Sequence, residues 1–199
     1  MDNNFKNKQN MLSGQGYTIG KLIRTHLVMT LFGLMVFIPF NLDDASMRAF
    51  LLIGSVAAII LFLFLIDVDM WYIGAEDKLR VDAGRMKATP MKGFVLGFLA
   101  ELPSIVLGVA YAVISMLYAY YQAYPSGQSL GAAKLILWVI NFLWNGMYLG
   151  LERLCFGGGV PLFYLLIPLL PILFSGITYF LGLIGSPLLK PPAKNKSNK

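Results

Sequence analysis

Charge is scarce in this sequence. Asp, Glu, Lys and Arg together make up 13% of its 199 residues, against roughly 25% in a soluble domain. There is one cysteine, Cys155, and one histidine, His26. A single thiol excludes an intrachain disulfide and any cysteine metal cluster. A single imidazole excludes a multi-histidine zinc or haem site. Gly157-Gly158-Gly159 lacks the lysine and hydroxyl residue of a phosphate-binding P-loop and reads as a hinge. Cys155 beside it has no evident base partner, so it is a poor nucleophile. No cofactor is expected from this inventory. A cleaved leader is not expected either, because the first 20 residues are long, polar and glycine-bearing.

Apolar residues are plentiful, at 57% of the chain, with a mean hydropathy of +0.68. Several runs approach the ~20 residues that a helix needs to cross hydrocarbon. The fold class that follows is all-α, a polytopic integral membrane helical bundle with about five transmembrane helices. Residues 1–21 form a polar, basic N-terminal arm and residues 22–186 the transmembrane domain. The expected spans are 22–40, 49–70, 93–121, 135–151 and 162–184. Residues 73–92 are the most polar internal stretch and are read as a cytoplasmic loop. Residues 187–199 form a basic tail of disordered composition. The 93–121 run exceeds the bilayer core, and Pro103 is expected to kink it. Pro168 and Pro171 interrupt the last run, which reads either as a broken span or as a re-entrant segment.

The formal net charge is +6. Because the basic residues flank apolar runs, they suggest positive-inside anchoring and contact with anionic lipid, and not nucleic-acid binding. The N-terminal arm and the 73–92 loop, both basic, then lie on the cytoplasmic side. Five spans would place the lysine-rich tail on the other side, which conflicts with the same rule. A compact chain of this kind suits a bacterial plasma membrane.

Glu101 is the sharpest single feature, because a carboxylate at membrane depth is costly and faces a bundle interior or an aqueous path. It belongs to a stripe of small and polar residues on one helix face, Gly93, Gly97, Glu101, Ser104, Gly108, Ala112 and Ser115. A second stripe, Trp138, Asn141, Asn145, Tyr148 and Glu152, has matching helical spacing. If the two helices are antiparallel neighbours, Asn145 reaches the depth of Glu101 and donates a hydrogen bond to it. His26, beside Arg24, reads as interfacial. Lys78, Arg80, Arg85, Lys87 and Lys92 are candidate contacts for headgroups or a cytoplasmic partner. Asp67, Asp69 and Glu76 are the one acid cluster that could hold a hard cation, with interfacial solvation as the plainer alternative.

Three functions compete. The first is a non-enzymatic subunit or scaffold of a larger membrane complex, with another membrane protein or further copies of the chain as partners. The second is a small transporter or channel component with a polar path around Glu101. The third is a metal-dependent lipid-modifying enzyme using the 67–76 acids.

Overall fold

The computed structural model describes residues 3–37, 45–124, 126–157 and 159–186, and all regular structure there is helical. Helix α1 spans Asn3–Phe37 and α2 spans Ala45–Asp82. The polar arm is thus helical from Asn3 and continuous with the first apolar run. The first half of the stretch read as a loop, residues 73–82, is also helix, because α2 continues to Asp82. An Arg80–Glu76 pair at i,i+4 supports its last turns. Gly84, with φ 69°, then takes the left-handed turn that ends it. The non-helical connection is only residues 83–91.

Helices α3 (Lys92–Ala100) and α4 (Leu102–Tyr121) are one ascending run broken at Glu101. The break has the expected cause: Pro103 has no N–H to donate and its ring crowds the preceding turn. Helix α5 (Ser126–Trp144) packs on α4, with Gly131 against Tyr118 near the far end and Trp144 bonded to Ser104 near the break. A 3₁₀ turn (Gly146–Tyr148) and α6 (Leu149–Phe156) follow. Helices α7 (Pro161–Leu166) and α8 (Leu169–Ile184) complete the described chain.

Among the described residues, three segments are long and apolar enough to cross a membrane: Arg48–Asp82, Leu102–Tyr121 and Pro161–Ile184. A fourth exists if Gln128–Trp144 and Gly146–Leu154, bent by 87°, count as one. The count among the described residues is therefore three or four, and not the five expected. The expected span 135–151 is not one straight helix: the helix ends at Trp144 and turns sharply, as a broken span or a re-entrant segment does. The upper end of the expected 22–40 span lies outside the described residues, as does the 187–199 tail.

The outer faces carry a belt of exposed apolar side chains, including Ile53, Ile60, Val106, Val113, Met116 and Ile177. A water-soluble protein would bury these, whereas hydrocarbon solvates them at no cost. Inside, Phe62, Met70, Tyr111, Met147, Tyr164 and Tyr179 form a continuous core. The turn at residues 145–150 is wholly buried in it. Gly33 and Gly146 permit this: a Cβ on either would collide with the backbone of the segment opposite.

Candidate functional site

The break after Trp144 leaves helix-end carbonyls without their usual i+4 donors at membrane depth, where no water can replace them. Helix α1 supplies the donors. Thr30 Oγ1 donates to the Trp144 carbonyl at 2.8 Å, and His26 Nε2 donates to the same oxygen at 3.0 Å. His26 is 3% exposed, stacked on the Trp144 ring and edge-on to Phe62. Its reading as an interfacial residue is corrected.

The other imidazole nitrogen, Nδ1, lies 3.3 Å from Glu101 Oε1. A carbonyl can only accept, so Nε2 carries a hydrogen. The Nδ1–Oε1 contact then holds one proton, on either atom. In both placements the pair has no net charge, which is why burial of Glu101 to 4% exposure is tolerable. Ser104 Oγ donates to Glu101 Oε2 at 2.8 Å and accepts from Trp144 Nε1 at 2.9 Å. The hydrogen bonds thus run from the Trp144 indole through Ser104, Glu101 and His26 back to the Trp144 carbonyl.

The expected Asn145–Glu101 hydrogen bond does not form. The end of α5 rotates Asn145 away, and its Nδ2 instead reaches Asn141 Oδ1 at 3.5 Å. Asn141 Nδ2 donates to the Leu107 and Leu137 carbonyls, fastening α5 to α4. Asn145 Oδ1 and the Tyr148 hydroxyl are buried with no hydrogen-bond partner among the described residues. Glu152, the last residue of that stripe, is separate: it accepts from the Gly159 N–H at 2.5 Å and from the Tyr164 hydroxyl at 3.1 Å. The 87° bend divides the stripe into two sites.

The basic loop residues divide in a similar way. Asp77, 1% exposed, accepts from Lys92 Nζ at 2.6 Å and the Tyr179 hydroxyl at 2.8 Å. Arg80 pairs with Glu76 at 2.6 Å, and Lys78 Nζ donates to the Ile184 carbonyl at 3.3 Å. Lys78 therefore ties α2 to α8 and Lys92 ties α3 to α2, Arg80 pairs within α2, and Arg85 and Lys87 are exposed. Trp71 Nε1 bonds the Ser186 carbonyl at 2.9 Å, placing the end of α8 beside the 83–91 end of α2.

The acids proposed for a cation are not gathered. Asp67 and Asp69 point about 200° apart on α2, Asp69 pairs with Lys21 at 2.6 Å and Glu76 with Arg80. Among the described residues, no three His, Cys, Asp or Glu side chains stand together as metal ligands would.

A cavity of about 670 Å³ opens between α4, α5 and α6. Tyr118, Lys134, Leu135, Trp138, Phe142 and Arg153 line it, with Glu152 at its back wall. Sequence spacing could not find it, since Arg153 reaches it only after the bend at residue 145.

These features define the class: a polytopic helical membrane protein with a buried, charge-neutral polar centre. No family model matches the chain, and neither a curated protein nor a solved structure does.

Proposed function

We propose that this chain is a non-enzymatic subunit or scaffold of a larger membrane assembly. The observation that carries this reading is the closed hydrogen-bond circuit. Both Glu101 oxygens and both His26 nitrogens are engaged by the protein itself, at the point where three separate helices must be held. An ion path would need these groups to face an open passage, whereas His26 and Glu101 are 3% and 4% exposed and enclosed by protein. The exposed Arg85 and Lys87 at the 83–91 connection form a natural docking edge for a partner. The test is extraction of the tagged protein in mild detergent, with intact-complex mass spectrometry. One stoichiometric partner, lost in R85E/K87E, is the expected result. A monodisperse species containing only copies of the 22.0 kDa chain would overturn the hetero-complex reading.

For topology, we infer that α1, whose apolar sequence continues past the described residues to Phe40 and so was not among the segments counted above, crosses beside α2, that the α5–α6 segment enters and returns on one side, and that α7–α8 make the final crossing. Lys21 beside Asp69, and Gly159 accepting from the Tyr111 hydroxyl at 2.9 Å, support this path. It places Lys21, the 83–91 connection and Ser186 on one side, assigned as cytoplasmic by their charge. Membrane-impermeant thiol labelling of K87C and S186C, each in a C155S background, should mark both from that side and Q122C from the other. Opposite labelling of K87C and S186C would refute it.

A further inference from the structure

The cavity between α4, α5 and α6 is built differently from the polar centre, and its chemistry points to a ligand. Two cations stand in its wall. Lys134 Nζ lies 5.1 Å from the centre of the Tyr118 ring, and Arg153 Nη1 makes a 3.3 Å bond to the Gly157 carbonyl. Among the described residues neither forms an ion pair with a carboxylate. The one acid at the wall, Glu152, has its oxygens committed to Gly159 and Tyr164. Among the described residues the cavity therefore offers two cations with no ion pair, Arg153 meeting the Glu152 charge only beyond ion-pair distance.

The vertical arrangement is equally informative. Lys134 sits beside Tyr118, at the start of the exposed tyrosines Tyr120, Tyr121 and Tyr124 that mark the membrane interface on this end. From Lys134 the cavity follows α5 through Leu135 and Trp138 to Phe142, roughly 12 Å deeper by helical rise. Its mouth at Lys134 is thus at headgroup level, and its deeper wall includes the aromatic rings of Trp138 and Phe142. Leu135, 60% exposed, borders the opening. The volume of about 670 Å³ lies within the range of specific small-molecule sites, ~300–1,000 Å³. A soluble anion would leave the apolar wall unused, and a neutral lipid would leave the cations unanswered.

We propose that this cavity binds an anionic lipid of the leaflet at the Tyr118 end, with its phosphate between Lys134 and Arg153 and an acyl chain along Trp138 and Phe142. The proposal stands independently of the subunit reading.

Trp138 provides a local reporter. The purified full chain is placed in nanodiscs of phosphatidylcholine doped with a minority of phosphatidylglycerol, and the acyl chains of one lipid or the other are brominated. Brominated phosphatidylglycerol should quench tryptophan fluorescence more than equally brominated phosphatidylcholine. That excess should vanish in W138F, which leaves Trp71 and Trp144 in place. In K134Q/R153Q the apparent affinity should fall about thirty-fold, from the loss of two basic groups near the interface. K134R/R153K should retain the excess, which separates loss of charge from loss of fold. Equal quenching by the two lipids would overturn the proposal. So would an excess that survives K134Q/R153Q or is lost in K134R/R153K. Displacement of phosphatidylglycerol by inorganic phosphate at comparable concentration would assign the site to a soluble anion instead.

Discussion

Replacing Glu101 in two different ways separates its hydrogen bonds from its charge. In Glu101→Gln, the amide oxygen accepts from Ser104 and the amide N–H donates to His26 Nδ1. The imidazole is then neutral and keeps Nε2–H on the Trp144 carbonyl. Every bond of the circuit survives, so the expected change in stability is within about 1 kcal/mol. In Glu101→Ala, His26 Nδ1 and the Ser104 hydroxyl both lose their partner in a buried site. At about 1–3 kcal/mol for each unpartnered group, the loss is about 2–6 kcal/mol, before any contribution from the cavity left behind. For a chain of this length that corresponds to roughly 4–24 °C in midpoint, at about 2–4 °C per kcal/mol. The assay is stepwise heating in mild detergent, followed by size-exclusion measurement of the monodisperse fraction under one fixed heating protocol. Glu101→Ala and His26→Ala should also be non-additive, since each removes the same bond. If Glu101→Gln is as unstable as Glu101→Ala, the site depends on a fixed charge and the circuit argument fails. If Glu101→Ala matches the wild type, the circuit does not hold the end of α5.

The same assay reads three further changes. Asp77→Asn leaves the buried side of Lys92 without its counter-ion, so a loss of about 3–5 kcal/mol is expected; Asp77→Leu with Lys92→Met should recover part of it, and no recovery would contradict the ion-pair account. Gly74→Ala directs a methyl group at the Tyr179 backbone carbonyl on α8, which cannot yield as a side chain could. Overpacking of about 1–3 kcal/mol is expected there, and an unchanged midpoint would mean the two helices cross less closely than described. Tyr148→Phe removes a buried hydroxyl with no partner among the described residues. It should be neutral or stabilising by up to about 1–3 kcal/mol, whereas a clear loss would reveal a partner for that hydroxyl.

The membrane character of this protein could be read directly along the chain. An 18-residue run without charge, Ala49–Ile66, and a mean hydropathy of +0.68 require a non-aqueous solvent whatever the packing. The kink near Pro103 was legible for a similar reason, because proline alters its own helix through covalent geometry. Glu101 was legible as a singular residue, since one carboxylate in an apolar run is conspicuous at any register. Its partner was not. The small-residue stripe identified a packing face, but a stripe does not say which helix approaches it. Asn145 has the right depth only if α5 stays straight, and it ends one residue earlier.

That ending explains most of what the sequence left open. Asn145-Gly146 is itself a turn-forming pair, but apolar hydropathy continues past it, so the local sequence alone reads as a segment fit to span and does not give the 87° bend. The turn is stable only because Thr30 and His26 from another helix satisfy the Trp144 carbonyl, and because Gly33 and Gly146 let the backbones meet. Those partners are more than a hundred residues apart along the chain for the hydrogen bonds to Trp144. The sequence by itself determined the solvent, the helical class and the presence of one costly carboxylate, because those depend on side-chain chemistry and local periodicity. Only the tertiary structure decided the break after Trp144, the His26–Glu101 pairing and the position of Arg153 in the cavity, because each depends on which distant groups satisfy a backbone that has left its helix.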